Sequence, residues 1–96
     1  MIYIEKSTNN QLITTDNITN YIPTKLNIYL DDIYVGEFDN LSNNILFITF
    51  ELSPLNVIDL IEKEYTLKIK SYGAILKEEL SQVRDFSTPT IIQYNK

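Results

Sequence analysis

The stretch Tyr65-Thr66-Leu67-Lys68-Ile69-Lys70-Ser71 alternates apolar and polar residues with a period of two. Tyr65, Leu67 and Ile69 therefore fall on one face, and Thr66, Lys68 and Lys70 on the other. That is the signature of a half-buried β-strand. Working outward, Tyr72-Gly73-Ala74 supplies a turn, and Ile75 to Arg84 can be read two ways. Ile75, Leu76, Leu80 and Val83 would share a helical face, and Lys77-Glu78-Glu79-Leu80 has good helix propensity. A glycine placed where a hairpin turn needs one favours a second hairpin strand.

Upstream, Leu26, Ile28 and Leu30 alternate with Asn27 and Tyr29. Asp31-Asp32 interrupts as a tight turn, and Ile33-Tyr34-Val35 resumes. Gly36 marks a bulge or bend before Phe38. Ile45 to Leu52 begins apolar on both faces, which predicts the central strand. Ser53-Pro54 has a capping serine and a proline at the first helical position, so one or two helical turns are expected over residues 54–62. Short strands are also expected at Ile2 to Glu5, Gln11 to Thr15 and Thr90-Ile91-Ile92-Gln93-Tyr94. Polar turn clusters separate these runs, and Tyr21-Ile22-Pro23 is an edge or a connection. About seven short strands at intervals of roughly 8–12 residues predict an all-β fold, a small antiparallel β-sandwich spanning residues 1–96 as one domain.

Composition narrows the chemistry. The 96 residues carry 8 basic and 13 acidic side chains, a formal charge of -5, and 44% are hydrophobic. Such a chain can bury a core. Lys and Arg gather into no basic patch, which argues against nucleic-acid binding. No apolar run approaches the length of a membrane-spanning helix. Met1-Ile2-Tyr3-Ile4-Glu5-Lys6 reads as a first strand, without the basic and apolar regions of a signal peptide.

Cysteine, histidine and tryptophan are absent, which removes most nucleophile–base pairs and soft-metal sites. With Gly36 and Gly73 as the only glycines, there is no phosphate-cradling loop. Asp31-Asp32 with Glu37 or Asp39 could offer oxygen ligands to calcium, but the spacing matches no EF-hand loop, and a solvated turn is the simpler reading. Glu78 and Glu79 are adjacent, so on a strand they point to opposite faces and cannot form a glycosidase pair. The residues therefore predict no enzyme, cofactor or metal site. Asn17-Ile18-Thr19 and Asn40-Leu41-Ser42 match the glycosylation acceptor pattern, as chance matches in an Asn-rich chain. The tyrosines remain: exposed rings stack on sugars and anchor protein interfaces, which makes Tyr29, Tyr34 and Tyr72 candidate contact residues.

The opening Met1-Ile2-Tyr3-Ile4-Glu5-Lys6, the strand Glu64-Tyr65-Thr66-Leu67-Lys68-Ile69 and the hairpin running into Ile75-Leu76-Lys77-Glu78-Glu79 resemble a known group. It is the small virion structural proteins of tailed phages that infect Bacteroidetes, the crAss-like phages included. Lys63 stands where that group often has glycine. The resemblance implies a β-sandwich building block of the virion, an auxiliary protein that decorates or stabilises the capsid in many copies. Its partners would be other virion proteins, capsid or portal and tail subunits, with no nucleic acid or membrane. It would be made in the host bacterial cytoplasm and end in the particle. A tail or fibre accessory, or a glycan-binding module, is the alternative. In this setting Tyr29, Tyr34, Lys68, Lys70 and Tyr72 are the expected contact residues. Ile91, Ile92 and Tyr94 join them, because an end strand can add to a neighbour's sheet edge.

Overall fold

A computed structural model describes residues 1–6 and 9–85. The alternation that decided the fold holds through β6 (Glu64–Ser71): Tyr65, Leu67 and Ile69 are buried, while Thr66, Lys68 and Lys70 lie half-exposed opposite them. Among the described residues there are seven strands in all. The others are β1 (Ile2–Glu5), β2 (Gln11–Asp16), β3 (Lys25–Leu30), β4 (Ile33–Asp39), β5 (Phe47–Leu52) and β7 (Ala74–Arg84). The expected strand at Thr90 to Tyr94 lies outside the described residues. Between Ile75 and Arg84 the chain is strand and not helix. Leu76 and Val83 face inward, whereas Ile75 and Leu80 face solvent.

The strands form two sheets: five strands in the order β1-β7-β6-β3-β4, and β2 paired with β5. The larger sheet is curled into a half-barrel. One apolar cluster joins both sheets. Leu26, Ile28 and Leu30 of β3, Leu67 and Ile69 of β6 and Val83 of β7 meet Ile13 of β2 and Ile48, Phe50 and Leu52 of β5. The Phe38 and Phe50 rings pack at 5.3 Å between centroids, tying β4 to β5.

Two expectations are corrected. The larger sheet is mixed and not wholly antiparallel, because β1 runs parallel to β7, pairing Ile2 with Ser81 and Glu5 with Arg84. That direction aligns the Arg84 guanidinium with the Glu5 carboxylate at 2.6 Å, and places it 3.9 Å from the Tyr3 ring centroid. A period of two says which face a side chain takes but nothing about strand direction. The apolar run from Ile45 is also not a central strand. Its first residues, Ile45 and Leu46, are exposed loop, and among the described residues β5 has β2 as its one strand partner. The helical turn expected from Ser53-Pro54 is present as a single 3-10 turn, Pro54–Asn56, with Ser53 and Asn56 capping each other. Val57 beyond it is buried, while Leu55 and Ile58 are exposed.

Two amide side chains close the seams between the sheets. Gln11, the first residue of β2, accepts the Glu5 N–H at 2.8 Å and donates to the Tyr3 carbonyl at 3.3 Å, as a neighbouring strand would along the edge of β1. Asn40, just past β4, accepts the Thr49 N–H of β5 at 3.1 Å, and the Leu41 N–H donates to the Thr49 carbonyl at 2.7 Å.

The Asp31-Asp32 turn does more than reverse the chain. Asp31 sits at φ 56°, in the left-handed region, and its backbone N–H donates to the Thr66 carbonyl of β6 at 2.9 Å. Its carboxylate accepts the Thr66 N–H at 2.8 Å and the Lys63 ammonium at 3.0 Å. The Thr66 bond, then Lys63, holds the Asp31 carboxyl below its ordinary value. A carboxylate with a lowered folded value adds stability above its unfolded value, near 3.9, and loses it as pH falls through the folded one. Asp31→Ala should therefore be less stable than the parent at pH 7, and the difference should shrink below about pH 4. Urea midpoints for both proteins from pH 7 to pH 2 check this, and a pH-independent difference would contradict it.

Candidate interface on the outer face of the five-stranded sheet

Along each strand of the larger sheet, bulges aside, alternate residues point away from the core, and this outer face gathers four of the eight side chains singled out in the sequence. Tyr29 of β3 lies between Tyr34 of β4 and Lys68 of β6 in the ladder. The Tyr29 and Tyr34 ring centroids are 5.2 Å apart with a 56° tilt, and the Lys70 ammonium sits 4.6 Å from the Tyr29 centroid. The Tyr34 hydroxyl donates to the Asn27 carboxamide oxygen at 3.0 Å. Lys68 reaches Asp32 in the adjoining turn at 3.6 Å, and its ladder partner on the other side is Glu78. The lysines are thus partly engaged within the chain and partly open to solvent.

A bulge makes this arrangement compatible with the core. Tyr34 and Phe38 are four residues apart, so on a regular strand they would share a face. Here the register against β3 shifts: Tyr29 pairs with Tyr34 but Ile28 pairs with Gly36, leaving Val35 as the extra residue. Beyond the bulge the faces are exchanged, so Tyr34 points out and Phe38 points in. Gly36 permits it with φ 153°, and a Cβ there would meet the Phe38 ring at 3.4 Å. Gly36→Ala should cost on the order of 1–3 kcal/mol in a denaturant titration. A second bulge, at Leu76 opposite Ile69 and Lys70, turns Leu76 inward and Ile75 outward in the same way.

Tyr72 stands apart from this group. It occupies the β6–β7 turn with Gly73, both at positive φ (51° and 84°), the conformation of a two-residue hairpin turn in which asparagine and glycine are favoured. Tyr72 is 87% exposed, and its ring makes no hydrogen bond or ring contact with the described residues. Ile91, Ile92 and Tyr94 lie outside the described residues.

Asp31, weighed in the sequence as a calcium ligand, instead holds the turn to β6. Among the described residues no three acidic groups converge as a metal site. Asn17 and Asn40, which in the sequence are chance acceptor matches, carry structural roles. In each, the side-chain oxygen accepts the N–H of the residue two positions on, Thr19 at 3.2 Å and Ser42 at 3.1 Å. The Asn-x-Ser/Thr spacing that imitates a glycosylation acceptor is here an Asx turn, a reading the same residues supported.

Comparison of the chain with protein-family models, curated proteins and solved structures finds no match.

A bulky L-residue in the left-handed region carries a penalty of about 1–2 kcal/mol, which asparagine tolerates better. Tyr72→Asn should therefore raise stability by about 1 kcal/mol in chemical denaturation. A loss of stability would show that the ring contributes contacts within the fold.

Proposed function

We propose that this chain is a structural protein of a phage virion, an auxiliary capsid protein that decorates or stabilises the shell through protein–protein contacts. In this reading the two sheets act as a small β-sandwich, and the outer face of the larger one docks on a capsid, portal or tail subunit. The protein is made in the host bacterial cytoplasm and works in the particle in many copies. The observation that carries the reading is the solvent-facing group of Tyr29, Tyr34, Lys68 and Lys70. The packed, mutually tilted tyrosines give a rigid apolar anchor with a polar tip, at little entropic cost on binding. The two lysines beside them are set among Asp32 and Glu78, so the anchor carries a rim of both charges that can fix the register of a partner. The sequence resemblance supports the same assignment.

A second reading rests on one detail of the same face. Tyr34, half-exposed and bonded to Asn27, offers a ring for stacking beside an amide for hydrogen bonding, which is how a sugar is held. This would make the chain a glycan-binding or tail-fibre accessory module.

The double variant Lys68→Glu/Lys70→Glu should keep its circular dichroism spectrum and melt within a few degrees of the parent. Its incorporation into purified particles should fall about tenfold or more, each tenfold corresponding to roughly 1.4 kcal/mol of lost contact energy. Incorporation equal to the parent's would sink the capsid reading of this face. A saturable hit on a glycan array, lost in Tyr34→Ala, would replace it with the second reading.

A further inference from the structure

A different surface lies at the end of the two-stranded sheet where β2 finishes and β5 begins. Residues 17–24 and 40–47 form it, and neither segment contains a charged residue, although the whole chain carries -5. Two asparagines fasten the segments to each other. The Asn17 amide donates to the carbonyls of Tyr21 at 2.8 Å and Ile45 at 3.0 Å, and its backbone N–H donates to Leu46 at 3.0 Å. The Asn40 amide donates to the Pro23 carbonyl at 2.8 Å, and its backbone N–H to Thr24 at 3.0 Å. The loops are therefore held in place before any partner arrives, which lowers the entropic cost of binding.

On this braced frame Ile18, Tyr21, Ile22, Leu41, Ile45 and Leu46 remain 40–65% exposed. Six large apolar side chains at about half exposure amount to on the order of 600 Å², the upper end of what a monomer usually leaves open. That approaches the roughly 800 Å² per partner of a stable interface.

We propose that two copies of this chain meet here about a two-fold axis. Charge selects a second copy as the occupant. Elsewhere the acidic surface of one copy repels that of another, whereas a neutral apolar patch meets its own image without any like-charge pair. A two-fold contact requires this kind of self-complementarity. The proposal is independent of the sheet-face assignment, and the two surfaces would leave each dimer with both outer faces free for another partner.

Sedimentation equilibrium of the full chain from about 1 μM to 1 mM should show a monomer–dimer equilibrium. Ile18→Asp/Leu46→Asp, which places four carboxylates in the dimer contact, should weaken association by about 100-fold or more. Leu41→Lys provides a single-site check should the double variant fail to fold. Lys68→Glu/Lys70→Glu should dimerise as the parent does, which separates this surface from the sheet face. A parent that stays monomeric throughout, that forms open higher oligomers, or whose dimer persists in both loop variants would overturn the proposal.

Discussion

The curled sheet has one apolar face, and the rest of the structure follows from the need to cover it. Leu26, Ile28, Leu30, Leu67, Ile69 and Val83 all point into its concave side. The β2–β5 pair meets this requirement with Ile13, Ile48, Phe50 and Leu52. Two strands alone are marginal in water, so the small sheet depends on the large one as much as the reverse. Backbone pairing does not run continuously across the two junctions, and side-chain amides stand in for it. Gln11 bonds the edge of β1, and Asn40 bonds the flank of β5.

Once the inner face is committed to the core, the outer face is free to carry function. The bulge at Val35 keeps the two demands from colliding, since it lets one strand send Tyr34 outward and Phe38 inward. A glycine at Gly36 is the local condition for that exchange, and the Phe38 ring beside it fixes how little room there is. The aromatic pair outside and the aromatic pair inside are therefore products of the same irregularity.

Much of this was legible in the residues. The alternation of Tyr65 to Ser71 identified both faces of β6, and Asp31-Asp32 and Tyr72-Gly73 identified two turns. Ser53-Pro54 located a capped turn. Other features had no local signal strong enough to read. Gly36 signalled the bulge in β4, but Leu76 looks like an ordinary strand residue, and only the partner strand reveals it as the extra one. Ile45 and Leu46 look like core because apolar character does not distinguish a buried strand from an apolar loop. Asn17 and Asn40 look like acceptor sites because the same three-residue spacing serves an Asx turn.

By itself, then, the sequence determined the strand periods, the turn chemistry and the absence of histidine and cysteine, because each of these depends on a residue and its near neighbours. The tertiary structure alone decided that β1 runs parallel to β7, and where the two bulges exchange faces. It also decided that Asp31 would hold a turn to β6, and that two uncharged loops would meet at one end of the small sheet. Those outcomes depend on contacts between residues far apart in the chain, such as Glu5 with Arg84 and Asp31 with Thr66. No local pattern records which distant partner a strand will meet, since pairing is chosen by the burial and hydrogen bonding of the whole.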